Sequence, residues 1–301
     1  MSIILKNKHL LTGEEMQSNE IYDLLDLAIN MKKNKKEYYQ ALKDKHLALI
    51  FDKPSLRTRF SFIVAMHELG GEVVESAGAT RKDETPEDQM RVLQGYCHAV
   101  MIRTFSEEIL FKMKSVAEIP LINGLSDSHH PCQILADLMT LKESFGDLYG
   151  LSVCYIGDGN NILNSLLLMA PHLGIKLNYC CPAEFGPNPA ILEKAQQQTF
   201  PGSIIAHVEP QAAVKNCHAV YTDVWTSMGF DKKDESVFKK YQVNEQLMQL
   251  ADSEAIFMHC MPMERGKEVS ETLPDQPCSA IFQQSENRMH VQKALLHSLL
   301  S

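Results

Sequence analysis

Short apolar, β-rich runs alternate along the chain with longer segments of helical period. Residues 47–52 (LALIFD) predict a strand, 58–69 a helix and EVVES a second strand. PEDQMRVLQGY opens on a proline and acids, a helix start, and HAVMIRTF predicts a strand running into a loop. SEEILFKMKSVA predicts a helix, IPLINGL a strand and PCQILADLMTLKESFG a strong helix. A second series begins at LSVCYIGDGN and continues with ILNSLLLMAPHLG (helix), LNYCCPA (strand) and NPAILEKAQQQ (helix). SIIAHV, NCHAVYTDV and AIFMHCMP predict strands, and ENRMHVQKALLHSLL an amphipathic terminal helix. Such alternation implies an α/β chain of two domains, each a mainly parallel sheet flanked by helices with right-handed crossovers. The polar, glycine-bearing stretch SFGDLYG suggests a division into 1–148 and 149–285, with the terminal helix 286–301 returning to the first domain.

Composition narrows the class. The chain has 301 residues, 45% hydrophobic and 22% charged, as in soluble globular proteins. A net charge of -9 argues against non-specific nucleic-acid binding, because a phosphate backbone needs a basic surface. No apolar stretch approaches the ~20 residues that span a bilayer, and MSIILKNKHLL is too short and lysine-interrupted for a signal peptide. A cytoplasmic location is the expectation. The eight cysteines form no CxxC pair and no zinc spacing with histidine, so neither a disulfide framework nor a metal site is expected.

Open parallel sheets bind ligands beyond the carboxyl ends of their strands. Six predicted strands end in polar or reactive residues: SLRTR, Arg103 with Thr104, DSHHPCQ, GDGNN, DVWTSMG and HCMP. Together they favour one composite site between the domains. In SLRTR, Ser55 can cap a helix whose first amides, at Leu56, Arg57 and Thr58, would face an anion. Arg57 and Arg59 add guanidinium forks suited to phosphate, although Arg59 reads more as scaffold. A plain N-cap followed by solvated arginines is the alternative.

GDGNN lacks the third glycine of a dinucleotide fingerprint, so its asparagines suit a carboxylate or amide better, or simple capping by Asn160. Asp223 could hold an ammonium group or cap a turn. Cys260 invites a nucleophile reading with His259 as base. Neighbouring strand residues face opposite ways, however, so a buried free cysteine is the plainer alternative.

Taken in order, SLRTR, MIRTF, HPCQ, GDGNN, DVWTSMG, HCMP and ENR resemble the aspartate/ornithine carbamoyltransferase family. The last blocks favour its ornithine-using branch. The resemblance runs from about residue 7 to the terminal helix. It implies that Ser55, Leu56, Arg57 and Thr58 hold the phosphate of carbamoyl phosphate, and that Arg103 bridges phosphate and carbonyl oxygen. His130 would donate to that oxygen, Gln133 would orient the carbamoyl nitrogen and Arg288 would add charge nearby. Asn161, Asp223, Ser227 and Met228 would hold the α-groups of L-ornithine. Cys260 would lie near the side-chain amine, with the Cys260–Met261 backbone orienting both substrates. The expected catalytic residues are Arg103, His130, Cys260 and Arg288, with no metal or organic cofactor, no membrane and a homotrimer or a multiple of trimers.

Two departures stand out. Leu56 replaces the threonine usual in the signature, and Ala79 stands where the family carries a glutamine reaching a neighbouring subunit, a contact that Arg81 or Lys82 could supply. The rival readings are a carbamoyltransferase for putrescine or an acylated ornithine, a catalytically silent anion-binding protein, and a dinucleotide-dependent oxidoreductase.

Overall fold

The computed structural model describes residues 5–77, 84–226 and 234–301. The chain divides into two compact units. The first comprises Met1–Met139 with Asn287–Ser301, and the second Thr140–Glu286. The SFGDLYG turn lies just beyond that division.

The first unit opens with helix α1 (Ser18–Lys33), followed by β1 (His46–Phe51), α2 (Leu56–Glu68), β2 (Glu72–Ala77) and α3 (Pro86–Leu93). It continues with β3 (Ala99–Arg103), α4 (Glu107–Val116), β4 (Leu121–Leu125) and α5 (Pro131–Phe145). The second contains β5 (Ser152–Ile156), α6 (Asn161–Met169), β6 (Lys176–Cys180), α7 (Pro189–Gln197) and β7 (Ser203–Ala206). Short helices α8 (Pro210–Val214) and α9 (Glu245–Met248) flank β8 (Ala219–Thr222), and β9 (Ile256–His259) precedes the terminal α10 (Ile281–Leu300). Helix α1 precedes the strand–helix alternation and carries none of its signals. Helix α10 starts five residues before the ENR motif that marks it in the sequence.

All pairings between strands are parallel. The sheets run β2-β1-β3-β4 and β7-β6-β5-β8-β9. Strands β1, β3 and β5 are almost continuously buried, as expected where helices cover both faces. Ala48, Ile50, Val100, Ile102 and Leu121 pack with Met90, Leu110 and Met113 in the first core. Cys154, Ile156, Val220 and Phe257 pack with Val214, Tyr241 and Ile281 in the second.

Helix starts follow local chemistry. Thr85 accepts the Asp88 amide ahead of Pro86, Ser106 accepts that of Glu108, and Asn188 caps α7 ahead of Pro189. The β4 edge is covered by the segment around Leu10, whose amide donates to Leu121 O while its carbonyl accepts from Asn123 N. The β2 edge pairs only with β1 among the described residues.

Candidate functional site: two strand-end clusters

Strand order reverses once in each sheet. From β1 the chain steps to β2 on one side and β3 on the other; from β5 it steps to β6 and then to β8 on the opposite side. Ligands bind at such switch points. The residues after β1 and β3 are the SLRTR segment and Thr104, with Arg103 ending β3. Those after β5 and β8 are GDGNN and Asp223.

In the first unit Ser55 occupies the N-cap of α2 with extended backbone, yet its hydroxyl makes no capping bond. The expected side-chain cap is therefore absent, and the helix start keeps donors for a ligand. Leu56 is exposed, while Thr58 is buried one turn in. Arg288 Nη2 donates to Thr58 Oγ1 at 2.7 Å, tying α10 to the phosphate-type helix start. Arg59 instead pairs with Glu75 at 3.0 Å and lies over the Phe51 ring, a scaffold role.

Arg103 ends β3 at a register shift. Ile102 pairs with Asn123 but Arg103 with Leu125, leaving Gly124 as an extra residue. A side chain on Gly124 would meet the Met101 sulfur at 2.3 Å. Bulges of this kind re-aim side chains beside sites.

His130 caps the start of α5 through its carbonyl, which accepts the amides of Gln133 and Ile134. Its imidazole is buried, and burial first, then Arg288 and Arg103, hold its pKa well below the ordinary 6.5. The ring is neutral at pH 7. Gln133 donates from Nε2 to Asp137 Oδ1 at 2.8 Å, which fixes the amide and leaves its buried Oε1 without a protein partner. Lys53, not singled out in the sequence, is buried with its ammonium over the Phe105 ring at 4.3 Å. Burial, then Arg103, lower its pKa, while Asp127 acts in the opposite sense. Its only sequence signal is a cation directly behind an apolar strand.

In the second unit the two glycines of GDGNN have separate duties. Gly157 sits at φ 125°, a conformation that L side chains rarely adopt. A Cβ on Gly159 would stand 2.2 Å from the Gly186 carbonyl carbon, so its glycine serves close backbone approach. Asn160 caps α6, its Oδ1 accepting the Ile162 amide at 2.9 Å, and Asn161 is the first helical residue. The same Asn160 donates from Nδ2 to Asp223 Oδ2 at 2.6 Å. Cys260 Sγ donates to Asp223 Oδ1 at 2.9 Å. Asp223 thus has one donor on each oxygen. Tyr155 supports the cluster by donating to Asp158 O at 2.7 Å, and its own pKa is driven well above 10 by burial and then by Asp223.

The His259 ring is committed to other partners. Its Nδ1 accepts the Met261 amide at 2.9 Å, so Nε2 carries the proton donated to Glu268 Oε1 at 3.1 Å. Asp223, His259 and Cys260 place donor atoms within 4.8 Å of one another. Both His259 nitrogens are already committed, so ligation of a metal would sacrifice one of these bonds. Met261 has φ 61° and precedes a cis bond to Pro262. Ser227, Met228, Ala79, Arg81 and Lys82 lie outside the described residues.

Residues 8–143 match the family described as aspartate/ornithine carbamoyltransferase, carbamoyl-P binding domain. Residues 149–299 match its Asp/Orn binding domain. The chain belongs to the aspartate/ornithine carbamoyltransferase family.

Within that family it is 44% identical to the ornithine carbamoyltransferase of Thermosynechococcus vestitus, over 98% of this chain and 97% of the relative. It is 43% identical to the enzyme of that name from Anoxybacillus flavithermus, over 99% and 98%. Among solved structures, ornithine carbamoyltransferase from Thermus thermophilus superposes with a TM-score of 0.90 at 39% identity, over 98% of this chain and 99% of that one. The anabolic ornithine carbamoyltransferase from Campylobacter jejuni gives 0.91 at 35%, over 97% and 99%. The family's fold, two helix-flanked parallel sheets, is the fold seen here.

Proposed function

We infer that the chain is an ornithine carbamoyltransferase, moving the carbamoyl group from carbamoyl phosphate to the side-chain amine of L-ornithine to give L-citrulline and phosphate. The residue roles below are our assignment. The observation that carries them is Asp223, a carboxylate with each oxygen fixed by a donor and suited to an α-ammonium group.

Carbamoyl phosphate is assigned to the start of α2. The Ser55 hydroxyl, the amides of Leu56, Arg57 and Thr58, and the Arg57 guanidinium take the phosphate. Arg103 spans phosphate and carbonyl oxygen. The neutral His130 ring donates an N–H to that oxygen, and Gln133 Oε1, fixed through Asp137, accepts from the carbamoyl nitrogen. Arg288, held by Thr58, adds positive charge. Ornithine's α-ammonium group goes to Asp223, and its carboxylate to Asn161, Ser227 and the Met228 amide. Cys260 and the Cys260–Met261 backbone lie beside the δ-amine. That amine, neutral when it reacts, attacks the carbonyl carbon; Arg103, His130 and Thr58 stabilise the developing oxyanion. Phosphate leaves into a cradle already positive and takes up the proton that the attacking nitrogen loses.

The assembly is assigned as a homotrimer or a multiple of trimers. Leu56, Phe60 and Val64 form an exposed stripe at i, i+4, i+8 on α2, with Leu56 and Phe60 65% and 61% exposed, and Val74 is exposed on the neighbouring β2. Sedimentation equilibrium should give three copies of the 34.0 kDa chain, or a multiple of three, and Phe60→Glu should lower that mass. A cytoplasmic location accords with the lack, among the described residues, of any helix long and apolar enough to cross a membrane.

The deciding assay offers carbamoyl phosphate with ornithine, putrescine, N-acetylornithine or aspartate in parallel. Citrulline formed in strong preference is the expected result. Preference for another amine would remove the ornithine half of the assignment.

A further inference from the structure

The loops that carry Arg103 and His130 are joined by a pair outside every residue assigned so far. Glu107 opens α4, in the loop after β3; His129 precedes His130, in the loop after β4. His129 Nδ1 lies 2.5 Å from Glu107 Oε1. The His129 ring is nearly fully buried and Glu107 largely so. Ser126 Oγ lies 3.2 Å from the same carboxylate oxygen and accepts the His129 amide at 3.1 Å. The Glu107 amide donates to Asp127 Oδ1 at 3.1 Å. The Thr104 amide donates to Leu125 O at 3.0 Å, and the Ser126 amide to His129 O at 2.9 Å.

The location is what gives these bonds meaning. Directly upstream, β3 and β4 slip register at Gly124, and the ladder resumes for one last pair, Arg103 with Leu125. Past that pair the Thr104 amide donates to Leu125 O. The side-chain bonds take over where the ladder stops, with reacting groups close by in the chain: Arg103 and Thr104 stand four and three residues before Glu107, and His130 directly follows His129. Burying an acid costs free energy unless it is paired, and here the His129 ring and the Ser126 hydroxyl pair it.

We propose that Glu107 and His129 are positioning residues for carbamoyl transfer, a clamp that sets His130 relative to Arg103 across the β3–β4 bulge. The inference rests on the carbamoyl-transfer reading. Neither side chain touches a substrate. Their work is to hold the imidazole N–H and the guanidinium in register with one carbonyl oxygen. A displacement of about 1 Å at such a centre lowers turnover about 10²-fold.

The test uses the full-length protein in four forms: wild type, Glu107→Ala, Glu107→Gln and His129→Asn. Glu107→Gln keeps an acceptor, and His129→Asn keeps a donor near the Nδ1 position. Two readouts are taken. One is kcat and KM for carbamoyl phosphate with ornithine saturating. The other is the NMR titration of His130 in protein labelled at histidine, with thermal melting as the check on folding.

Glu107→Ala should lose roughly 10- to 100-fold in kcat, with KM for carbamoyl phosphate near wild type because the α2 cradle is untouched. Its His130 titration should move up towards the ordinary range as the ring leaves its buried place. Glu107→Gln and His129→Asn should each recover most of the loss. A Glu107→Ala protein with wild-type kcat and an unmoved His130 titration, whatever its melting temperature, overturns the clamp. So does a uniform loss shared by the two conservative variants. If wild type carbamoylates no ornithine, the functional reading falls, while the His130 titration in the variants still decides the clamp.

Discussion

Arg288, near the end of the chain, donates to the hydroxyl of Thr58, 230 residues earlier, at 2.7 Å in a fully buried contact. The pair joins α10 to the start of α2. Two neighbours reinforce it. Lys32 Nζ donates to Asn287 Oδ1 at 2.8 Å, and the buried Lys293 pairs with Glu68 at 2.7 Å. A guanidinium so held is set before any ligand arrives, which is the condition for electrostatic stabilisation without reorganisation.

Replacing Arg288 with Ala should therefore reduce kcat/KM for carbamoyl phosphate by about 10²–10³-fold, the usual loss for a preorganised donor. It should also lower stability by about 1–3 kcal/mol, because Thr58 loses its buried partner. Arg288→Lys should fall between, keeping the charge but not the planar fork. Steady-state kinetics and urea unfolding of the same preparations measure both effects. An Ala variant with unchanged kinetics would remove Arg288 from the site.

Asp223→Asn should act on the other substrate. The substitution removes the negative charge, and its amide can satisfy only one of the two donors now on Asp223, from Asn160 and Cys260. Ornithine affinity should drop by roughly 2–5 kcal/mol, the range for truncating one member of a buried charge pair. Binding of inorganic phosphate, followed by calorimetry, should not change. Loss of both together would mean a collapsed fold and not a lost contact.

The positions of these residues were legible in the sequence, but their mutual bonds were not. A strand end with a polar cluster is local information, and β1, β3, β4, β5, β8 and β9 all announced theirs. That GDGNN and Asp223 meet at one switch point depends on β8 returning beside β5, which strand order decides. Asn160 illustrates the limit. Its capping bond to Ile162 is two residues away and follows from residue type, whereas its bond to Asp223 spans 63 residues. Lys53, Asp137 and Glu107 were missed for the same reason: each matters through a partner that only the fold supplies. Helix α1 lacks a strong N-cap residue, its cap being Gln17, and among the described residues no strand precedes it to mark its start.

The pH dependence has two separable parts. His130 has a depressed pKa in the folded protein and the ordinary 6.5 when unfolded. Below pH 6.5 the unfolded chain takes up a proton that the folded chain refuses, so stability falls as pH drops through that window. His9, lowered to about 4, acts in the same sense, as do His98, His207 and His297. His130→Gln should flatten the acid limb by up to about 1.4 kcal/mol per pH unit, one proton's share. Chemical denaturation at a series of pH values measures it. Activity should behave differently. With His130 neutral throughout, kcat/KM for ornithine should rise between pH 6.5 and 9 as the amine, of pKa ~10.4, loses its proton. A flat profile would contradict attack by the neutral amine.

The His259–Glu268 pair should matter for folding and not for chemistry. Both side chains are fully buried, and Glu268 Oε1 also accepts the Glu264 amide at 2.6 Å. Glu268→Ala strands two donors, the His259 Nε2 proton and the Glu264 amide, and should cost about 2–5 kcal/mol. Urea unfolding reads this directly. At temperatures where the variant stays folded, kcat should remain near wild type.

Gly159 gives the sharpest prediction about the second unit. The residue lies between Asp158 and Asn160, and its amide donates to Phe185 O at 2.8 Å. An added Cβ would stand 2.2 Å from Gly186 C, 2.4 Å from its oxygen and 2.4 Å from Pro187 N. All three are backbone atoms, so no rotamer change can relieve the clash. The 157–161 turn must move, and Asn160 and Asn161 move with it. Gly159→Ala should then raise KM for ornithine by about 10²-fold, the scale of a 1 Å displacement, while phosphate binding at α2 is retained. Gly146→Ala is the matched control. Gly146 has φ 83° and nothing within 4 Å, so its alanine incurs backbone strain alone and should lower stability without touching ornithine. Equal KM values for the two variants would show that close approach at Gly159 is not what sets the asparagines.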